Sequence, residues 1–290
     1  MNEIRDWVEQ SPYSRFLGVQ LDQLDQLDHL DSSDETKARL ILPYQDENSN
    51  PGKALHGGCA ASLGAIGGQV IARAVLGAES GPWHTAQMQV SYLAAAIGED
   101  VVAEARLLRR GRELCFVAID VKTAEGKPIA SITSTVRGRF AADSPDPTIS
   151  AADHGECDPG PMGPHIGKVP FIGHRGIRVE HMTGGTSRLV MPLIDNNRDE
   201  SGSVHEGAVL ALLDTTGAMA SWATSGPGRY KASTASMQLQ ILDSAPKGDL
   251  VAYGRCVQND REIYWSDVEV AAVADGRVCA RGCVLYRIVQ

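Results

Sequence analysis

The chain has 290 residues, of which 43% are hydrophobic and 22% are charged, and its formal net charge is −9. This composition is that of a globular protein with a substantial core and excludes a largely disordered chain. The acidic balance argues against a nucleic acid as the main partner, because binding to a phosphate backbone depends on basic patches.

The first residues, MNEIRDWVEQ, lack the basic start and apolar core of a secretion signal. No stretch reads as the run of about 20 apolar residues that spans a bilayer. The six cysteines form no C-x-x-C pair and no zinc-site spacing with histidine. We therefore expect a cytoplasmic protein with reduced thiols, no metal, no cofactor and no membrane association.

The two halves of the sequence repeat each other. His56 and His205 are 149 residues apart, and the same offset places TAQMQ, from Thr85, on TASMQ, from Thr234. After Val121 the offset becomes 150, which one inserted residue explains. A sustained offset of this kind is the signature of a duplicated unit. We predict two domains, residues 1–140 and 171–290, joined by a linker at 141–170 that is rich in proline, glycine and aspartate.

Each copy shows the same succession of elements. The segment LDQLDQLDHLD, at 21–31, has no counterpart and reads as a solvated strand extension or a loop. In both copies a strand precedes the histidine, a long helix follows it and ends at glycine, and four strands come next. The predicted strands are 37–42, 84–93, 100–110, 113–123 and 128–139, and then 187–192, 233–242, 249–258, 261–272 and 277–288. The predicted fold class is α+β, with an antiparallel sheet wrapped around each helix.

The two helix starts resemble those of a known family. NPGKALHGG, before an alanine-rich helix, and VHEGAVLALLDTTGAMASW are similar to the helix starts of hot-dog fold acyl-CoA thioesterases of the phenylacetic-acid-degradation type. The family pattern has an asparagine six residues before the histidine, glycines after it, and an acid nine residues after it. The resemblance implies two tandem hot-dog domains paired as an intrachain pseudo-dimer, with an acyl-CoA substrate, coenzyme A being part of that substrate.

The helix start suits thioester chemistry. Its free amide hydrogens and partial positive charge can stabilise the oxyanion that forms when a thioester is attacked. Glycines at 57 and 58 allow close approach to the backbone. An acid nine residues further along lies about 13 Å up the same helix, too far to reach its own helix start. The acid must therefore serve the helix of the other copy, which the resemblance places alongside.

The copies have lost complementary parts of the pattern. The first copy has Asn50, His56, Gly57 and Gly58, but Ala65 at the acid position. The second copy has the acid, Asp214, but Asp199 at the asparagine position and Glu206 at the first glycine, between His205 and Gly207. We predict one working site, with Asp214 as general base or nucleophile and Gly57 as oxyanion donor, a role also open to Gly58. Asn50 is predicted to position water or the loop, and His56 to hold the loop or touch the thioester. Gly58, His205, Glu206 and Gly207 are the predicted substrate-binding residues.

Other interpretations stay open at this stage. Asp214 could be an acid tolerated near a helix surface, and both histidines could be purely structural. Cys59, Ser62 and the paired glycines fit no nucleophile or phosphate-loop motif. The alternatives to hydrolysis are a non-catalytic acyl-CoA-binding or regulatory module and, less well supported, a hydratase or dehydratase acting on acyl thioesters. A homodimer of the two-repeat chain is also possible.

Overall fold

The computed structural model describes residues 2–25, 36–139, 157–228 and 230–289. Its first half begins with two short helices, α1 (Asn2–Gln10) and α2 (Pro12–Leu17), and contains one long helix, α3 (Gly57–Leu76). Its strands are β1 (Gln20–Asp25), β2 (Lys37–Leu42), β3 (His84–Tyr92), β4 (Val101–Arg110), β5 (Leu114–Thr123) and β6 (Pro128–Arg137).

The second half repeats this order. Two short helices, α4 (Gly163–Ile166) and α5 (Pro170–His174), precede the strands, and the long helix is α6 (Glu206–Ser225). The strands are β7 (Arg178–Thr183), β8 (Thr186–Met191), β9 (Lys231–Ile241), β10 (Leu250–Asn259), β11 (Ile263–Ala272) and β12 (Val278–Val289). All the predicted strands and both long helices are present, so the predicted α+β class is confirmed.

One antiparallel sheet of twelve strands runs through the described residues, in the order β1-β2-β4-β5-β6-β3-β9-β12-β11-β10-β8-β7. The order is the same from either end, which shows the pseudo-twofold relation between the halves. The halves join where β3 pairs with β9, with Met88 opposite Leu239 and Val90 opposite Met237. The chain therefore has the architecture of two hot-dog units side by side in one continuous sheet.

The two long helices pack against each other on the inner face of the sheet, and their contact depends on small residues. A Cβ atom on Gly58 would lie 2.7 Å from that of Ala211, and a Cβ atom on Gly207 would lie 2.7 Å from the Ser62 hydroxyl. Because these distances are too short for any larger side chain, the glycines let the helices cross closely near their first turns. This crossing brings the start of each helix alongside the middle of the other.

By length and composition, α3 is apolar enough to cross a membrane, with a mean hydropathy of 1.5 over 18 residues. This corrects the expectation that no stretch of the chain approaches a membrane span. In the fold, 78% of that 18-residue stretch is buried inside the protein. The α3 helix is apolar because it lies between α6 and the sheet.

The repeat extends further than the sequence comparison indicated. Pro12 and Tyr13 correspond to Pro170 and Phe171, at an offset of 158 rather than 149. The difference arises because the β1–β2 connection is longer than the β7–β8 connection. The segment read as a strand extension or loop is strand β1 up to Asp25, and its remainder, 26–31, lies outside the described residues.

The predicted linker is partly visible in the structure. Residues 141–156 lie outside the described ranges, whereas α4 and the first residue of α5 fall within 157–170. The domain boundaries at 140 and 171 therefore stay predictions.

Candidate active site

The start of α3 is held by a buried histidine. His56 is the N-cap residue, and its Nδ1 atom accepts a hydrogen bond from the Gly58 amide at 2.9 Å. Burial, with the nearby Arg175 guanidinium, lowers the pKa of His56 to about 3, so the ring is neutral at physiological pH. Since Nδ1 is the acceptor, the neutral ring carries its proton on Nε2. This geometry gives His56 a capping function.

Each capping histidine stacks on an aromatic ring from the other repeat. His56 lies 4.2 Å from Phe171 of α5, and His205 lies 4.5 Å from Tyr13 of α2, measured between ring centroids. The short helices also bond across, since the Tyr13 amide donates to the Arg198 carbonyl at 2.9 Å. Each helix start is thus fixed by a segment of the opposite repeat.

The carboxylate of Asp214 faces the start of α3. One of its oxygens lies 2.9 Å from the point that a Cβ atom on Gly57 would occupy. Gly57 is the first residue of α3, so its amide has no acceptor within the helix. The structure therefore brings together the helix start of one repeat and the acid of the other, as the crossed arrangement predicts.

Asp214 lies in a buried environment that raises the pKa of its carboxyl group. The residue is 4% exposed, and burial raises its pKa from 3.8 to about 6. The Thr234 hydroxyl donates a hydrogen bond to Oδ1 at 2.7 Å, which opposes part of that rise. Oδ2 remains on the side of Gly57. A carboxylate with a pKa near neutrality can accept a proton and then return it.

Tyr92 packs against the start of α3 beside Gly57. Its hydroxyl donates to the Gly57 carbonyl at 3.2 Å, and its ring lies 3.4 Å from the Cβ position of Gly57. Burial and the nearby Asp214 charge raise the pKa of Tyr92 well above its usual value. Tyr92 is therefore a neutral hydrogen-bond donor, and the corresponding residue of the second repeat is the buried Ile241.

Asn50 lies in the loop that leads to the helix start. Its backbone amide donates to the Ala54 carbonyl at 2.7 Å, and its backbone carbonyl accepts from the Lys53 amide at 3.2 Å. These bonds close the loop that precedes His56. The backbone of Asn50 thus shapes this loop, while its predicted role toward water stays a prediction.

The second half-site is built differently. Ala65, at the acid position, is 1% exposed, and the opposite helix starts with Glu206 instead of glycine. The Glu206 carboxylate accepts hydrogen bonds from Gln69 at 2.9 Å, from His84 at 3.1 Å and from the Thr85 amide at 3.2 Å. The Glu206 carboxylate is therefore held by Gln69 of α3 and by the start of β3.

The pKa values of Asp214 and Glu206 are shifted in opposite directions. Burial alone would raise the pKa of Glu206, but the hydrogen bonds and charge of His84 and the donors of Thr85 outweigh it, so its pKa is lowered. A carboxylate held by three donors is a poor base, whereas Asp214 has a single side-chain donor and a raised pKa. The contrast favours Asp214 as the reactive group.

Three predicted binding residues have structural bonds instead. The Gly58 amide is engaged by His56, and the Gly207 amide donates to Nδ1 of His205 at 2.9 Å. His205 is 5% exposed and neutral, because burial lowers its pKa to about 4. Gly58, His205 and Gly207 thus have structural bonds at the helix starts, and their contact with the substrate stays a prediction. Asp199 likewise caps its own loop, accepting from the amides of Ser201 and Ser203.

The thiols take no part in this site. Burial raises the pKa of Cys59, Cys115 and Cys279 to about 12 in each case, which leaves them protonated. All six cysteines are free. Among the described residues, no group of three or more His, Cys, Asp or Glu side chains could hold a metal ion.

Sequence reasoning missed Thr234, Tyr92, Tyr13 and Phe171. Thr234 had a usable signal, since both copies keep a threonine at the start of TAQMQ and TASMQ. Tyr13 and Phe171 also had one, the shared Pro-aromatic pair at an offset of 158. Tyr92 had none, because its importance depends on a tertiary contact with Gly57.

Known proteins resemble this chain in sequence over part of its length and in fold over most of it. The sequence profile of the acyl-CoA thioesterase N-terminal domain family matches residues 45–137. Acyl-coenzyme A thioesterase 13 of Homo sapiens is 35% identical over 92 residues, which is 31% of this chain and 64% of that protein. The match thus spans less than two thirds of the relative's own length.

Solved structures extend the likeness to nearly the whole chain. The tesB protein of Mycobacterium avium subspecies paratuberculosis has a TM-score of 0.65 at 11% identity, covering 92% of this chain and 96% of that one. A hot-dog fold protein of Alicyclobacillus acidocaldarius has a TM-score of 0.62 at 16% identity, covering 92% and 96%. At these identities the structures establish the fold, and the double hot-dog architecture is shown.

Proposed function

We propose that this chain, a double hot-dog protein of the thioesterase superfamily, hydrolyses acyl-CoA thioesters at one site formed by Gly57 and Asp214. The observation that carries the proposal is the buried Asp214 carboxylate of one repeat lying against the α3 start of the other. The pair combines a proton acceptor with backbone amides that can stabilise an oxyanion.

In the proposed first step, water attacks the thioester carbonyl carbon and gives a proton to Asp214. The carbonyl oxygen becomes an oxyanion, which the Gly57 amide and the positive end of α3 stabilise. Thr234 holds Oδ1 through its hydroxyl, leaving Oδ2 on the Gly57 side to take the proton. Asp214 then has the neutral form that its burial favours.

In the second step the tetrahedral intermediate collapses. The carbon–sulfur bond breaks, the coenzyme A thiolate leaves, and Asp214 returns its proton to that sulfur. The products are the free acid and coenzyme A, and the carboxylate is regenerated. The proposed reaction needs no metal or redox cofactor, because water, Asp214 and the helix amides supply every proton transfer and the oxyanion site.

Attack by Asp214 itself on the carbonyl carbon is the other route open to this geometry. It would form a mixed anhydride, which water then cleaves. Single turnover in ¹⁸O-labelled water separates the routes: the base route puts the label in the product acid. The nucleophile route leaves the first product unlabelled and the label in Asp214 when water attacks the aspartyl carbon.

The second half-site is proposed to be inactive in hydrolysis. Its carboxylate at the helix start, Glu206, is held by Gln69, His84 and Thr85. Moreover, the Glu206 side chain extends from the position at which the active half-site has a glycine. One working site per chain is the resulting proposal, with a cytoplasmic location and a possible homodimer of chains kept as expectations.

Release of coenzyme A thiol from a panel of acyl-CoAs tests the proposal. Asp214→Asn should lower the rate by about 10³-fold or more, since a general base and its proton transfer are lost. Asp199→Asn, at the corresponding loop of the other half-site, is the matched control and should retain most of the activity. An unchanged rate in Asp214→Asn, or collapse only in Asp199→Asn, would refute the crossed site. Acyl-CoA binding without thiol release by the wild type would favour the binding module instead.

A further inference from the structure

A fully buried arginine lies between the two helix starts. Arg175, directly after α5, is 0% exposed, and its guanidinium carbon lies 4.7 Å from the ring centroid of Tyr13 and 4.9 Å from that of Phe171. Tyr13 stacks on His205, and Phe171 stacks on His56. Arg175 is thus the shared centre of two stacks, each of which ends at a capping histidine.

The guanidinium of Arg175 is only partly satisfied by hydrogen bonds. Its Nη1 atom donates to the Asn196 carbonyl at 2.7 Å, whereas Nε and Nη2 are buried without a hydrogen-bond partner among the described residues. Unpaired donors on a buried charged group lower the free energy of unfolding, and contact with aromatic rings offsets only part of that loss. Stability therefore does not explain why an arginine lies here.

The first repeat shows that a leucine fits the same place in the fold. Leu17 corresponds to Arg175 at the offset of 158 and is also 0% exposed. Each is followed by a glycine of positive φ, Gly18 at 83° and Gly176 at 66°. The backbone carbonyl of each also accepts a hydrogen bond from an asparagine side chain, at 2.7 and 2.8 Å. Because the two backbones are equivalent, the fold itself does not require a charge at this position.

The stack through Phe171 leads to the proposed oxyanion site. The His56 ring, 4.2 Å from Phe171, accepts the Gly58 amide at 2.9 Å. Burial, with the charge of Arg175, keeps the pKa of His56 low, so Nδ1 stays a hydrogen-bond acceptor. Because this cap fixes the first turn of α3, it also fixes the direction of the Gly57 amide. The position of Arg175 is therefore transmitted to Gly57 through Phe171 and His56.

We infer that Arg175 is a positioning residue for thioester hydrolysis, which holds the start of α3 through Phe171 and His56 in the geometry that the oxyanion needs. The inference rests on the proposed thioesterase function. Arg175 is buried behind the two rings and acts on the reaction only through them. Since the oxyanion exists only in the transition state, Arg175 should affect kcat more than KM.

Replacing Arg175 with leucine, the residue at the corresponding position of the first repeat, tests the inference. We expect Arg175→Leu to unfold no more easily than the wild type in urea, because an apolar side chain replaces a partly unpaired buried charge. Its kcat on acyl-CoA should fall about tenfold, with KM changed by less than about twofold. Exchange of the Gly58 amide hydrogen, followed by NMR, should become about tenfold faster or more, because the His56 cap opens more often.

Two further variants complete the experiment. Leu17→Met, a volume-conserving change at the corresponding position, is the matched control and should leave both kcat and the exchange of the Gly58 amide unchanged. Phe171→Leu breaks the same stack between Arg175 and His56 and should give the same two changes as Arg175→Leu. The test can therefore be read even if Arg175→Leu does not fold.

The inference requires both changes in a folded variant. An unchanged kcat or an unchanged exchange rate of the Gly58 amide overturns it, and so does a loss of folded protein large enough to account for the lower kcat. If the wild type releases thiol from no acyl-CoA, the proposed function fails. The exchange of the Gly58 amide then still decides whether Arg175 holds the helix start.

Discussion

One carboxylate oxygen of Asp214 lies 2.9 Å from the place that a Cβ atom on Gly57 would take, so the acid of one repeat requires a glycine in the other. In the second half-site the corresponding positions are Glu206, which has a side chain, and Ala65, which has no acid. The glycine that faces Asp214 is therefore a steric consequence of how α3 and α6 cross.

Replacing Gly57 with alanine tests this relationship. The new methyl group would meet the Asp214 carboxylate at 2.9 Å and the Tyr92 ring at 3.4 Å, and it would displace the carboxylate from the helix start. We expect kcat/KM to fall by about tenfold or more, equivalent to about 1.4 kcal/mol of transition-state stabilisation, with thermal stability little changed. Gly248→Ala, where a Cβ atom would meet nothing within 4 Å, is the control. Equal activity of the two variants would contradict the proposed contact.

The dependence of activity on pH follows from the raised pKa of Asp214. A general base must be ionised, and burial raises the pKa of this carboxyl to about 6. We expect kcat/KM to be constant above pH 7 and to fall tenfold per pH unit below about pH 6, as is usual for one essential base. A profile that stays flat down to pH 4.5 would exclude Asp214 as the base.

Removing the Thr234 hydroxyl extends that measurement. Thr234 donates to Asp214 and opposes the rise of its pKa, so Thr234→Val should shift the acid limb to higher pH. Thr234→Ser keeps the donor and should restore the wild-type profile. This shift in pKa distinguishes a role through Asp214 from a merely structural one.

Much of the fold was predictable because its signals are local and repeated. The offset of 149 residues, the turn residues and the strand alternation identified ten strands and both long helices. The helices α1, α2, α4 and α5 were missed because they are short, and their stability depends on contacts such as that of Phe171 with His56. Helices this short are marginal without tertiary packing.

The candidate site was predictable in part for the same reason. Asp214 and Gly57 were identified by comparing the two copies. The acid at 214 corresponds to Ala65, and the glycine at 57 corresponds to Glu206. The engagement of the Gly58 amide by His56, and the hydrogen bond between Glu206 and His84, depend on three-dimensional geometry. Residue spacing contains no information on which amide is already bonded.

The stability of Asp214→Asn should depend on pH in a defined direction. Because the pKa of Asp214 is raised from 3.8 in the unfolded chain to about 6 in the native one, the native state binds an extra proton between these values. Ionisation therefore costs native stability as pH rises through that window, and the cost is complete above about pH 6. Asparagine removes this cost, on the order of 2 to 3 kcal/mol for a shift of this size.

Chemical denaturation of both proteins at pH 4 and pH 8 measures the effect. The stability gained by Asp214→Asn should be small at pH 4 and largest at pH 8. Asp267→Asn, on an exposed strand position of β11, is the control and should show no such growth. A gain of equal size at both pH values would mean that burial of the charge is not its cause.

The second half-site permits a test of steric and electrostatic coupling between the repeats. Ala65→Asp would place a second carboxylate one helical turn before Gln69, which donates to the Glu206 carboxylate at 2.9 Å, and Glu206 keeps its charge because its pKa is lowered. Two carboxylates that share a buried site repel each other, so this variant should lose several kcal/mol of unfolding free energy. Adding Glu206→Gly removes both the side chain and its charge. The double variant should then be more stable than the sum of the two single effects predicts, by about 1 to 3 kcal/mol. Urea denaturation of the four proteins in this cycle gives the coupling directly, and additive effects within about 0.5 kcal/mol would show that positions 65 and 206 do not share one space.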